Sequence, residues 1–70
     1  MLRRELLNRS RKEMGISAAQ MADKLGISKS YYRQIESGLR TGTPALWDSI
    51  EDVIGKNQRD LREIVTVGSL

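Results

Sequence analysis

The sequence has 70 residues, of which 39% are hydrophobic and 30% charged, with 12 lysines and arginines against 9 acidic residues. A chain of this length forms one small domain with a thin core, so helix caps and a partner subunit are expected to add stability. It contains no cysteine and no histidine, which excludes disulfides, Cys/His zinc sites, thiol nucleophiles and the usual proton shuttle near neutral pH.

The hydrophobic residues are scattered rather than grouped. No stretch approaches the roughly 20 apolar residues of a membrane span, and the start MLRRELLNRSRKE interleaves leucine with arginine instead of forming a signal-peptide core. We therefore expect a cytoplasmic protein with no membrane partner. In a bacterium it would lie in the cytoplasm or the nucleoid.

Charge is distributed unevenly along the chain. Residues 1–40 contain nine basic and four acidic side chains, whereas residues 41–70 contain three basic and five acidic ones. The basic first part of the chain is consistent with a face that binds a polyanion. The acidic second part is consistent with a separate surface. A solvated charged surface explains the same counts equally well.

Helical signals dominate from the beginning of the chain. A first helix is predicted from about Leu2 to Met14, with Leu7, Arg11 and Met14 on one face, and Gly15 is a natural end.

Ser17 begins a second helix, because Gln20 follows it at capping-box spacing. Met21, Ala22 and Leu25 then form the inward stripe. Gly26, with a positive φ, is expected to end this helix.

A third helix is capped by Ser28 and ends at Gly38. Tyr32 and Ile35 are its inward pair. Because Gly26 leaves a very short turn between two short helices, a steep crossing is expected, with one polar face of the third helix free.

Two more helices follow. Thr43 caps the fourth, with Pro44 in its first turn and Gly55 at its end. Its core stripe is expected to contain Leu46 or Trp47, then Ile50, Val53 and Ile54.

Asn57 caps a final short helix with Leu61, Ile64 and Val65 inside, and residues 67–70 are expected to fray.

These glycines, caps and apolar positions agree with one known pattern. The segment SAAQMADKLGISKSYYRQIESG resembles the helix-turn-helix core of the phage repressor/Cro (Xre-like) family, and the likeness extends from the first helix through Gly55. The matching positions are Arg11, Gly15, Ser17, Met21, Ala22, Gly26, Ile27, Ser28, Ile35, Glu36 and Gly38.

The resemblance implies an all-α, compact five-helix lambda-repressor-like domain over residues 1–66, with the helix-turn-helix in helices two and three. It also implies a sequence-specific transcriptional regulator from a phage, mobile element or bacterial host. Such a protein binds double-stranded DNA, usually as a homodimer on a near-palindromic operator, with the second motif helix in the major groove.

The resemblance assigns base reading to Lys29, Ser30 and Gln34. Lys29 can donate to guanine O6 or N7, and Gln34 can pair with adenine. For each residue the alternative is a solvated helix face. Contacts to the DNA backbone or at the rim of the interface are implied for Ser17, Gln20, Ser28, Tyr31, Arg33, Arg40, Thr41 and Thr43.

A structural ion pair is implied between Arg11 and Glu36, joining helix one to the end of the recognition helix. A dimer interface is expected in the last helix, at Gln58, Leu61 and Arg62. The remaining cations of the first helix are interpreted as general positive surface: Arg3, Arg4, Arg9 and Lys12.

Nothing in the sequence indicates catalysis, a cofactor or a small-molecule substrate. Asp48, Glu51 and Asp52 cluster on the fourth helix, but an acidic surface explains them better than a metal site. The alternative function is a protein-interaction module of the same fold. It would be an antitoxin or antirepressor that sequesters a protein through its acidic half.

Overall fold

A computed structural model describes residues 2–66 of the protein. Over that range the chain forms five helices and one pair of short strands, which confirms the predicted all-α five-helix class. The predicted fraying of residues 67–70 lies outside the described residues. In chain order the elements are β1 (Leu2–Arg3), α1 (Glu5–Glu13), α2 (Ala18–Leu25), α3 (Lys29–Ser37), α4 (Pro44–Ile54), α5 (Gln58–Arg62) and β2 (Val65–Thr66).

The two strands were not predicted. β1 and β2 pair antiparallel, with Leu2 opposite Thr66 and Arg3 opposite Val65. Helix α1 therefore begins at Glu5 rather than at Leu2, because the preceding residues are extended. Strands of this length show no periodicity that a sequence could reveal.

Three apolar side chains lie elsewhere than predicted. Met14 follows the end of α1 and is 47% exposed, so it does not share the buried face of that helix. Ile64 lies beyond the end of α5 and is 43% exposed, while the half-buried Val65 belongs to β2. The final helix is therefore shorter than its apolar residues suggest.

Each of the last four helices begins at the predicted cap. The Ser17 hydroxyl accepts a hydrogen bond from the backbone N–H of Gln20, and the Gln20 side chain accepts one from the N–H of Ser17, which completes the capping box. Three further side chains accept from a backbone N–H in the first turn of α3, α4 and α5: Ser28, Thr43 and Asn57.

The core lies where the helices meet, and its largest fully buried side chain is Trp47. Both residues that were alternatives for the α4 stripe, Leu46 and Trp47, are buried. Burying one large apolar side chain stabilises the fold by about 1.5–3 kcal/mol. The other fully buried side chains are Leu7, Met21, Tyr32, Ile35, Ile50 and Leu61.

Arg4 is buried rather than part of the positive surface, with only 4% of its area exposed. Its guanidinium donates to the carbonyls of Arg62 at 2.9 Å, Arg40 at 2.9 Å and Ile35. It also lies over the Trp47 ring, 5.1 Å from the ring centre. Arg4 thus connects the start of the chain to α3, α5 and the loop before α4.

Among residues 2–66, the partners of the Arg4 guanidinium are backbone carbonyl oxygens and not a carboxylate. Burial, together with the nearby positive charge of Arg62, lowers the pKa of Arg4. The carbonyls of Ile35 and Arg40 lie at and just after the C-terminal end of α3, where the helix dipole favours a cation. Arg4 therefore acts as a side-chain cap for that end of α3.

Candidate nucleic-acid interface

A turn of three residues, Gly26–Ser28, joins α2 to α3. Gly26 adopts φ +71° and ψ +30°, a left-handed conformation that favours glycine. The N–H of Ile27 donates to the carbonyl of Ala22 at 3.0 Å, and the half-buried Ile27 packs against the core. This turn fixes the direction in which α3 leaves the body of the domain.

Helix α3 has two distinct faces. Its inward face buries Tyr32, Ile35 and Glu36. On the outward face Lys29, Ser30 and Arg33 are exposed and Gln34 is half-buried; this face, Lys29, Ser30, Arg33 and Gln34, is called the recognition face below. Because a helix turns about 100° per residue, the neighbours Tyr31 and Tyr32 point to different surroundings.

The recognition face carries donors and no carboxylate, since the single acid of α3, Glu36, is buried beneath it. A lysine ammonium and a serine hydroxyl donate to acceptors on base edges, and a glutamine carboxamide both donates and accepts. All three residues assigned to base reading thus lie together on an accessible surface.

Gln34 is connected to the loop that follows α3. The backbone N–H of Arg40 donates to the Gln34 carbonyl at 3.1 Å. The Arg40 Nε donates to the Gln34 side-chain oxygen Oε1, also at 3.1 Å. The loop arginine and the half-buried glutamine are therefore held against each other.

A buried polar cluster lies beneath the recognition face. Arg11 Nε donates to Glu36 Oε2 at 2.8 Å, so the two residues form an ion pair between α1 and α3. The Glu36 carboxylate also accepts from Asn8 Nδ2 at 2.6 Å and from the Tyr32 hydroxyl at 2.6 Å. Three donors on two helices thus fix one carboxylate.

These contacts shift the pKa values of the cluster. Burial acts to raise the pKa of Glu36, but hydrogen bonds from Arg11, Tyr32 and Asn8 outweigh it, and the pKa is lowered. The bond to Glu36 raises the pKa of Arg11. Burial, together with the adjacent carboxylate, raises the pKa of Tyr32. At neutral pH the cluster is therefore a charged pair with a neutral phenol.

The polar residues expected at the rim lie on the surface, with Tyr31 half-buried against the core. The hydroxyl oxygens of Ser17, Ser28 and Thr43 accept from the first turns of their helices. A hydroxyl that accepts can also donate its hydrogen, for example to a phosphate. The exposed members of this group are Ser17, Gln20, Ser28, Arg33, Arg40, Thr41 and Thr43.

A groove of about 590 Å³ runs between α1 and the outward side of α3. Sequence reasoning gave no specific place to Arg3 and Lys12, yet both line this groove beside Arg33 and Gln34. The excess of cations in the first forty residues predicts a basic surface. A count of charges does not predict which of these cations lie in the same groove.

Of the three residues expected in a dimer interface, the structure buries Leu61, leaves Gln58 half-buried and leaves Arg62 exposed. Leu61 is fully buried within the monomer, so its side chain is not available to a partner. Gln58 donates through Nε2 to Asp48 and through its N–H to Glu51, both at 2.9 Å. The guanidinium of Arg62 lies 5.5 Å from the centre of the Trp47 ring.

The acidic side chains within residues 2–66 are not arranged as a metal site. In this part of the chain no group of three or more acidic residues is placed to hold a metal ion, and the side chains of Asp48 and Glu51 bond to Gln58 instead. None of the helices that the structure describes is long and apolar enough to cross a membrane.

A short glycine turn, a third helix with an open donor-rich face and a basic groove beside it define a DNA-binding helix-turn-helix regulator. The family model described as helix-turn-helix matches residues 7–61, and the chain belongs to this Cro/Xre-like family. It is a family of DNA-binding regulatory domains and not of enzymes. No curated protein and no solved structure matches the chain significantly, so the assignment depends on the family match and the geometry.

Proposed function

We propose that this protein is a sequence-specific transcriptional regulator of Cro/repressor type that inserts α3 into the major groove of a palindromic operator. The observation that carries the proposal is the recognition face: it is accessible and contains no carboxylate. In this reading Lys29 and Ser30, at the start of α3, and Gln34, one turn further along, contact base edges.

The DNA backbone is proposed to pass on both sides of α3. Arg40 and Thr41 contact phosphates from the loop after α3, and Thr43 contributes its hydroxyl from the start of α4. On the other side, Ser17, Gln20 and Ser28 offer hydroxyl and amide donors at the starts of α2 and α3. Arg33 and Tyr31 complete the rim.

Residues 1–66 are proposed to act as one domain. The family match covers residues 7–61. The antiparallel pairing of β1 with β2 brings the two flanking segments together.

A homodimer is proposed, because two copies present two α3 helices to half-sites about 34 Å apart, one turn of DNA. Leu39 is 73% exposed and Ile64 is 43% exposed. Ile64 lies beside Gly38, the residue that precedes Leu39. These two side chains supply the apolar surface that the buried Leu61 does not. Leu39→Ser is therefore expected to shift sedimentation toward monomer without changing the circular dichroism spectrum, whereas an unchanged distribution would place the interface elsewhere.

The function is tested by gel shift with duplexes enriched from a random pool, compared with random duplexes, at two salt concentrations. Specific binding is expected, and each phosphate neutralised should add about −0.9 to the slope of log affinity against log salt. The double variant Lys29→Ala with Gln34→Ala should lose the preference for enriched duplexes, whereas Arg59→Ala, which changes an exposed cation of α5, should keep it. No DNA affinity at low salt, with tight binding to a protein, would favour the sequestering alternative.

A further inference from the structure

We propose that Arg40 sets the base preference of Gln34 by fixing which end of its carboxamide faces the DNA. This inference rests on the proposed function, since it names a specificity determinant of the same interface. It gives Arg40 a second role in addition to contacting a phosphate.

The orientation of the carboxamide follows from the chemistry of its partner. An arginine Nε–H can only donate, so the atom of Gln34 that lies 3.1 Å from it must be the oxygen Oε1. The amide nitrogen then occupies the other branch of the carboxamide. A free glutamine could exchange the two by a half-turn about its last side-chain torsion, which is broad and roughly two-fold.

Arg40 is itself held in place, which is what allows it to orient another side chain. Its N–H donates to the Gln34 carbonyl at 3.1 Å, and its own carbonyl accepts from Arg4 at 2.9 Å. Arg4 is buried and also donates to the carbonyl of Arg62 at 2.9 Å. The backbone of this loop residue is thus tied both to α3 and to a buried side chain.

A fixed carboxamide discriminates between bases better than a rotating one. In the major groove adenine presents an acceptor and a donor, guanine two acceptors, thymine an acceptor and a methyl group, and cytosine a donor. A glutamine that can turn over presents its donor and acceptor in either order, so it tolerates several of these patterns. Gln34 held by Arg40 presents them in one order.

The first step is to find the operator position at which Gln34→Ala loses the base preference of the wild-type protein. The test is then competitive binding to four duplexes that differ only in the base pair at this position. Arg40→Ala should weaken binding to every duplex and also reduce the preference at this position by about five- to tenfold, in the range that one base contact supplies. In the Gln34→Ala background, Arg40→Ala should weaken binding but remove no further preference.

Lys12→Ala is the matched control, because Lys12 is an exposed cation that lines the same groove as Gln34. It should lower affinity uniformly and leave the preference unchanged. A uniform loss for Arg40→Ala as well would overturn the inference, as would a further loss of preference in the Gln34→Ala background.

The orienting contact can also be tested without DNA. In the free protein, Arg40→Ala should shift the side-chain amide signals of Gln34 in a ¹⁵N–¹H spectrum, while Lys12→Ala should not. Unchanged amide signals would overturn the inference even if the wild-type protein binds its operator. A wild-type protein that shows no preference among duplexes would instead overturn the proposed function, and this inference with it.

Discussion

The hydroxyl of Tyr32 donates a hydrogen bond to Oε2 of Glu36 at 2.6 Å, one helical turn further along α3. Both side chains are on the inward face of the recognition helix, and Arg11 and Asn8 donate to the same carboxylate from α1. The phenol of Tyr32 thus adds a third donor residue to a buried acid.

Tyr32→Phe removes that donor and leaves the Glu36 carboxylate with only Arg11 and Asn8 as its side-chain donors among the described residues. The free energy of unfolding should fall by about 1–3 kcal/mol, the usual cost of leaving a buried polar group short of a hydrogen bond. Urea denaturation measures the loss. Tyr31→Phe is the control and should change stability by less than about 0.5 kcal/mol. Equal effects of the two substitutions would contradict the role assigned to the Tyr32 hydroxyl.

The lowered pKa of Glu36 predicts sensitivity to acid. A carboxyl whose pKa is lower in the folded state stabilises the protein above its unfolded-state pKa, about 4.3 for glutamate. That contribution is lost as the pH falls below about 4.3 and through the folded-state pKa. Urea midpoints measured between neutral pH and pH 3 should fall more steeply for the wild type than for Glu36→Gln. Parallel curves would show that other carboxyl groups control the acid transition.

Arg4→Ala should be strongly destabilising, because it leaves carbonyls of Ile35, Arg40 and Arg62 without their donor. We expect a loss of at least about 2 kcal/mol by urea denaturation. The neighbouring Arg3, which pairs with Glu5 at 2.8 Å near the surface, provides the control. Arg3→Ala should cost no more than about 1 kcal/mol, and a similar loss for both arginines would refute the distinction.

Two glycines with positive φ should respond differently to alanine. Both substitutions place a side chain in a left-handed conformation, at a cost of about 1–2 kcal/mol. At Gly26, with φ +71°, nothing else lies within 4 Å of the new Cβ. At Gly38, with φ +85°, the Cβ would stand 3.1 Å from Cδ1 of Ile64. Thermal unfolding should therefore show a larger loss for Gly38→Ala, and the reverse order would contradict this packing.

Lys29→Ala should alter recognition without altering stability, because the side chain is exposed at the start of α3. Its discrimination between operator variants should fall by about 1–3 kcal/mol at one base pair if the ammonium contacts a base edge. Fluorescence anisotropy with single-substitution duplexes measures this, and the urea midpoint of the same variant serves as the control. A uniform loss across all duplexes would reassign Lys29 to a phosphate.

Most of the fold was predictable because its signals are local. A cap such as Ser28 and a glycine such as Gly26 act within one turn of chain, and the inward positions of Tyr32 and Ile35 follow from helical spacing. The open face of α3 was predictable for the same reason, since it is what remains when the inward positions are assigned.

What sequence reasoning missed depends on distant parts of the chain. The burial of Arg4 is explained by the backbone carbonyls of Ile35, Arg40 and Arg62. Because every residue has a backbone carbonyl, the residue types at these positions do not indicate such a partner. The contact between Arg40 and Gln34 likewise depends on the path of a loop. The hydrogen bond from Tyr32 to Glu36 could have been predicted from the sequence, because the two residues are four apart on one helix and a buried hydroxyl needs a partner.

The pairing of β1 with β2 has a consequence for protein engineering. Leu2 and Thr66 are register partners in this pair, so a short glycine-serine tether could connect them and turn residues 2–66 into a ring. The ring could then be opened at Gly55, which is exposed and has open space where a Cβ would stand. Such a circular permutant would keep α2, its turn and α3 contiguous. It would also turn the pairing of Leu2 with Thr66 into a local contact, which favours faster folding.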